Sequence, residues 1–238
     1  MSMTPTETSM EPVAYHAQLA ADWEDRYRKR SFRARQIVLA ECLDGLDLTG
    51  KKWLDAGCGT GTLSRWLAER GCSVLGVDAA SEMLAVAAEW VKAQHCEEKV
   101  SFNCVETIAH IALESNSIDG VLCSSVLEYV SDPGECVEEF ARVLKPGGLL
   151  LASVPNRHSG VRKMQLAEHH IGVWLGWNWA KFMEHSRHQY AVNEFSRLLE
   201  TRGFLVEKVL VFGSPLPQWI QRMRFGGSLL MFMARKNK

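Results

Sequence analysis

Leu54-Asp55-Ala56-Gly57-Cys58-Gly59-Thr60-Gly61 closes an apolar run that begins at Lys52, and this stretch decides the fold. A short apolar run ending in glycine predicts a buried strand. The LSRWLAERG that follows (63–71) predicts a helix closed by Gly71. Glycines at 57, 59 and 61 strip side chains from the turn between strand and helix, where a ligand must lie close to the backbone. Ligands of open α/β sheets bind beyond the carboxyl ends of the strands, so one stretch marks both a sheet and a site.

Working outward, SVLGVD (73–78) is a second buried strand, and Ser81–Ala93 is a helix with Ser81 as its N-cap. VSFNCV (100–105) and SIDGVLCSSV (117–126) supply strands three and four, with Asp119 as a turn or cap residue leading into the fourth. ECVEEFARVL (135–144) is the next helix, KPGG (145–148) its stop, and LLLASVP (149–155) strand five. The rhythm lapses from Asn156 and resumes as a helix over 194–202, closed by Gly203. FLVEKVLVF (204–212) and SLLMFMARK (228–236) finish as two strands whose link contains the Pro-rich SPLPQW, so no helix need join them. Residues 13–43 place apolar side chains among charges at helical spacing and form one or two N-terminal helices. The predicted fold is α/β: a Rossmann-like, seven-stranded, mostly parallel sheet with helices on both faces and the last strand antiparallel.

Composition narrows the function classes. The 238 residues carry 27 basic and 28 acidic side chains, a balance without the basic footprint that a nucleic-acid partner needs. No apolar run approaches the roughly 20 residues of a bilayer span. The first twelve residues, MSMTPTETSMEP, lack both the basic and the apolar region of a secretory signal. Seven scattered cysteines form no C-x-x-C pair, which suits a reducing, cytoplasmic location.

The loop spacing is G-x-G-x-G with Asp55 two residues ahead, whereas a dinucleotide loop reads G-x-G-x-x-G. Asp55 would repel a pyrophosphate and attract an ammonium. Asp78 ends the second strand 21 residues after Gly57, the distance at which a carboxylate takes the two ribose hydroxyls of an adenosine. A ligand with an amino group at one end and an adenosine ribose at the other is S-adenosylmethionine. On LDAGCGTG, GVD (76–78), the acid after strand three, VLEYVSDP (126–133) and LKPGG (144–148), the chain resembles class I S-adenosylmethionine-dependent methyltransferases. It is particularly similar to small-molecule enzymes of the ubiquinone-pathway O-methyltransferase kind. The resemblance implies that Gly57, Gly59 and Gly61 line the methionine and ribose, that Asp78 binds the ribose hydroxyls, and that Glu106 stands beside the adenine amino group. Ser124, Ser125 and Leu127 would then contact the sulfonium end. One domain results, with a helical arm over 10–45, a cofactor-binding core over 51–156, a substrate-lid insertion over 157–192, and a final helix and strands over 193–238.

Methyl transfer is an in-line displacement that needs a general base only when the acceptor still holds its proton. The segment LEYV has Tyr129 where many relatives carry His, so Tyr129 is one candidate to steer the acceptor. Five of the eight histidines, His158, His169, His170, His185 and His188, fall in the insertion and are candidates for a base. His185 and His188 also have the spacing of a metal pair beside Glu184, although relatives of this kind need no metal and none is expected. Trp174, Trp177, Trp179 and Phe182, flanked by Arg162, Lys163 and Lys181, suit a lid over an apolar acceptor, or peripheral membrane contact through 171–183. His169, Trp174 and Trp177, with Tyr15 and Tyr27 of the N-terminal arm, are accordingly expected on the acceptor. Tyr15, Trp23 and Tyr27 match the arm that covers the cofactor in relatives. The expected activity is transfer of a methyl group to a small, apolar or aromatic acceptor, at oxygen by preference. N-methylation or carboxylate esterification would use the same core. A nicotinamide-dependent oxidoreductase and a non-catalytic binding partner are remoter readings, and the oligomeric state is open.

Overall fold

A computed structural model describes residues 13–14, 16–20, 30–164, 186–213, 218–223 and 225–238. Seven strands form one sheet in the order β3-β2-β1-β4-β5-β7-β6. They are β1 (Lys52–Ala56), β2 (Ser73–Asp78), β3 (Val100–Cys104), β4 (Ile118–Ser124), β5 (Leu144–Pro155), β6 (Phe204–Phe212) and β7 (Leu229–Lys236). The first five pair in parallel, and β7 runs antiparallel to both β5 and β6, as the strand and helix alternation predicts. Around the sheet lie α1 (Arg30–Leu43), α2 (Thr62–Ala68), α3 (Ser81–Ala93), α4 (Pro133–Val143), α5 (Val192–Glu200) and α6 (Gln218–Gln221).

The strands read as unbroken apolar runs because both faces are covered, and successive residues feed opposite cores. Leu54, Val121, Leu150 and Leu230 point to the side packed by Phe140 of α4 and Phe195 of α5. Their neighbours Trp53, Leu122, Leu151 and Met231 point to the side packed by Leu39 of α1 and Leu67 of α2. Trp53 lies in register with Gly120 on β4. A Cβ at Gly120 would stand 2.4 Å from Trp53 Cε2, so a side chain here must displace the indole. Gly120→Ala is expected to destabilise the fold by about 1–3 kcal/mol through overpacking, seen as a lower urea midpoint at unchanged slope.

Three local expectations need correction. Ala80, not Ser81, holds the N-cap of α3, because Asp78 Oδ1 accepts from the Ala80 N–H at 2.9 Å and sets the turn from β2. KPGG does not separate helix from strand. It lies inside β5, where pairing jumps from Ile118↔Leu144 to Gly120↔Leu149 at a bulge. Asp119 sits within β4, accepting from Lys52 N–H at 2.9 Å and pairing with Lys145 Nζ at 2.8 Å, so it ties three strands together. The start of α4 at Pro133 follows from Asp132, whose Oδ1 accepts from Gly134 N–H at 2.7 Å, with proline at the first helical position.

Candidate active site

The carboxyl ends of β1, β2 and β4 converge on the glycine loop. Gly57 and Cys58 both donate their N–H to Val77 O, at 2.8 and 3.0 Å, which folds the loop back over the end of β2. Gly57 has φ 74°, and a Cβ there would lie 2.3 Å from Val126 Cγ2, so the loop rests directly on the segment after β4. Gly59 and Gly61 also take positive φ. From behind, Arg65 of α2 donates to Thr60 O at 2.9 Å and Thr62 Oγ1 at 3.2 Å, with its guanidinium 3.9 Å over the Trp90 ring. This buried arginine, which the sequence pattern did not single out, fixes the loop from its helix side.

Asp78 is partly buried at the end of β2. Its Oδ2 accepts from Gly59 N–H at 2.8 Å, and its Oδ1 serves Ala80. A carboxylate offers about four lone-pair sites, so two remain for ligand hydroxyls. Asp55 is 2% exposed beneath the loop, accepting from Ser64 Oγ at 2.6 Å. Burial pushes its carboxyl up to about 7; the Ser64 hydrogen bond opposes the rise, and the nearby Asp78 charge adds to it. Glu106 is exposed on the loop after β3. That loop is held to α4 by Glu139 Oε1, which accepts from Ile111 N–H at 2.6 Å, and by Arg142, which donates to Ile111 O and Leu113 O. A cavity of about 300 Å³ opens at the same sheet edge between Leu75, Val77, Phe102, Cys104, Val105 and Ile111.

On the other side of the loop lies the segment 124–130. Ser125 holds φ 59°, a left-handed conformation costing about 1–3 kcal/mol in a non-glycine residue, and its surroundings over-determine it. Ser153 Oγ accepts from Ser125 N–H at 3.0 Å, Ser124 Oγ lies 3.2 Å from Ser153 Oγ, and Arg35 of α1 donates to Ser125 Oγ at 2.9 Å. Leu127, expected at the sulfonium end, is instead 0% exposed among Ala56, Val77 and Phe140, and its side chain belongs to the core. Tyr129 is partly buried, with the His16 ring edge-on at 5.0 Å. Val13, Ala17 and Ala20 pack on Ala80, Met83 and Val86, so the first helical turn leans across the start of α3 toward Tyr129. His16 was not among the expected site residues, although it lies one helical turn after Val13 in the same stripe.

Of the expected histidines, His188 comes to this pole. Its Nε2 lies 3.0 Å from Val130 O, which places the proton on that nitrogen and leaves the lone pair on Nδ1. His158 begins the insertion, its N–H donating to Asn156 Oδ1 at 3.0 Å. Tyr15, Trp23, Tyr27, His169, His170, Trp174, Trp177, Trp179, Phe182, Glu184 and His185 lie outside the described residues, as does the 171–183 stretch expected to touch a membrane. Among the described residues no three His, Cys, Asp or Glu side chains cluster as metal ligands, and no helix is long and apolar enough to cross a membrane.

Sequence reasoning also missed Glu128. It is 4% exposed, and its Oε2 has no hydrogen-bond partner among the described residues. Burial pushes its carboxyl up to about 7, against its own backbone amide and the charges of Arg162 and Arg35. An acid set between Leu127 and Tyr129 in an apolar run was the available signal.

A family profile described as a methyltransferase domain matches residues 54–152. The chain is 37% identical over 172 residues to the ubiquinone biosynthesis O-methyltransferase of Idiomarina loihiensis, covering 69% of each chain. It is 32% identical over 160 residues to the protein of the same name from Coxiella burnetii, covering 66% of this chain and 67% of the relative. Among solved structures, an S-adenosylmethionine-dependent methyltransferase from Mesorhizobium loti superposes with TM-score 0.63 at 23% identity, over 84% of this chain and 96% of that one. The magnesium protoporphyrin IX methyltransferase of Synechocystis PCC 6803 with bound SAH gives TM-score 0.63 at 20% identity, over 85% and 81%. At these identities the structural likeness concerns the fold.

Proposed function

Because the chain belongs to the S-adenosylmethionine-dependent methyltransferases, we propose that it methylates an oxygen of a small, apolar or aromatic acceptor by in-line displacement. The two relatives quoted are named as O-methyltransferases, which supports oxygen over nitrogen or a carboxylate. The observation that carries the reading is the contact between Gly57 and Val126, which sets the cofactor loop directly against the segment 124–130.

The residues present fit the cofactor. Gly57, Gly59 and Gly61 leave bare backbone for the methionine and ribose, and Asp78 keeps lone pairs for the ribose hydroxyls while anchoring Gly59. Asp55 supplies negative potential toward the ammonium through the loop, and Glu106 serves the adenine amino group. When bound, S-adenosylmethionine supplies an electrophilic methyl group and retains the electron pair of the broken C–S bond on sulfur. The chain then has to hold the acceptor oxygen in line, exclude water and receive the hydroxyl proton. Alignment alone accounts for much of the rate, because it replaces a bimolecular encounter. Ser124, Tyr129 and the His16 turn bound the acceptor side of the loop.

Incubating the protein with methyl-labelled S-adenosylmethionine and a small-molecule extract, then analysing the product by mass spectrometry and alkaline treatment, tests this. The expected product is a base-stable methyl ether. A base-labile label identifies an ester, and a label on nitrogen moves the acceptor atom. No labelled product in any fraction defeats the proposal.

A further inference from the structure

The two ends of the insertion meet at Glu128. Arg162, at its start, donates from Nη2 to Ser186 Oγ at 2.7 Å, closing the insertion on itself. At its far end, Arg187 and His188 donate their N–H groups to the Glu128 carbonyl, at 2.8 and 3.4 Å. Glu128 is two residues beyond Val126, which touches Gly57. It therefore stands where the cofactor loop, the segment after β4 and the acceptor-side insertion come together.

Both charged side chains of this ring have unused polar atoms. Arg162 is 6% exposed with its Nε unpartnered among the described residues, and Glu128 Oε2 is in the same condition. Leaving a buried ionic oxygen and a buried guanidinium N–H unsatisfied costs free energy that folding alone does not recover, and such atoms concentrate where a ligand completes them. A hydroxyl does so economically, since it donates one hydrogen bond and accepts another.

Resting on the methyltransferase reading, the geometry points to Glu128 as the general base, taking the proton from a phenol-type hydroxyl of the acceptor, with Arg162 as the positioning residue that sets its charge. In the step, Glu128 Oε2 takes the hydroxyl proton and the acceptor oxygen forms the new O–CH3 bond. The C–S electron pair stays on sulfur, and Glu128 then releases its proton to water. The charged and titratable groups around it are Arg35 on α1, Arg162, Cys123 on β4, Tyr129, Tyr190 and His188. Tyr190 is pushed by burial up to about 12 and Cys123 well above its usual value, so neither titrates near neutrality. Glu128, raised to about 7, has the base strength such a step needs at cellular pH.

The test measures methyl transfer to two probes, phenol and 4-nitrophenol, the second being largely ionised at neutral pH. Native protein should act on phenol with a rate that rises to a plateau around neutrality. Glu128→Gln should lose about 10²–10⁴-fold on phenol and far less on 4-nitrophenol, while binding S-adenosylhomocysteine like the native protein in calorimetry. Arg162→Met, which removes a charge favouring the ionised carboxylate, should move the rising limb to higher pH. Glu128→Asp keeps a carboxyl and should recover part of the phenol rate, separating chemistry from any folding defect. Equal loss on both probes, no loss on phenol, or an unmoved limb in Arg162→Met overturns the assignment. Native protein that binds S-adenosylhomocysteine but methylates neither probe also overturns it and leaves the methyltransferase reading standing. Failure to bind S-adenosylhomocysteine at all defeats that reading itself.

Discussion

Asp78→Ala is expected to weaken S-adenosylhomocysteine binding by about 10²–10⁴-fold, measured by isothermal titration. The ribose diol would donate two hydrogen bonds to one carboxylate, and hydrogen bonds to a charged group contribute about 1.5–3 kcal/mol each. The same substitution removes the acceptors of Gly59 N–H and Ala80 N–H, so the loop and the start of α3 lose their common anchor. Asp78→Asn separates the two effects. Its amide oxygen can still accept from Gly59, while its NH2 group replaces the acceptor of Ala80 N–H and faces the ribose as a donor, so the Gly59 anchor survives and the affinity stays low. A dissociation constant within tenfold of native in both variants would remove Asp78 from the cofactor.

What the sequence makes legible follows from local rules. Trp53 and Leu54, or Leu150 and Leu151, are apolar on successive positions because a parallel sheet buries both faces, and that run length announces each strand. The glycine loop and Asp78 are equally local, since the spacing of bare backbone and one carboxylate carries the chemistry. Glu128 is different. Its burial beside the Arg162 charge, with Oε2 unpartnered among the described residues, is set by the fold, which brings Arg162 to it from tens of residues away. In VLEYV only the place of the acid in an apolar run hints at it. His16 and Arg65 remained hidden for the same reason, because a long-range ring contact and a side chain turned back onto its own loop are set by packing. The histidine-rich insertion drew attention by composition, yet the histidine it delivers to Val130 O uses its Nε2 proton in a structural hydrogen bond.

Affinity for S-adenosylmethionine should rise with pH, by up to about tenfold per unit below pH 7 and little above it, because binding is linked to the ionisation of Asp55. Burial under the loop raises that carboxyl to about 7 in the free protein, so at pH 6 most molecules hold Asp55 protonated. The sign follows from the folded state disfavouring the charged form: Asp55 makes the free protein less stable as pH climbs from the ordinary carboxylate range through 7. An incoming cation reverses the preference. The ammonium and sulfonium of S-adenosylmethionine stabilise ionised Asp55 and displace its proton, while Ser64 continues to donate to the carboxylate. Titrations near pH 6 in buffers of different ionisation enthalpy should report close to one proton released per cofactor, and near pH 8 close to none. S-adenosylhomocysteine, which keeps the ammonium and lacks the sulfonium charge, should release a smaller fraction. Asp55→Asn should bind more weakly at pH 8 and show a flat profile; a native slope preserved in that variant would assign the linked proton to another group.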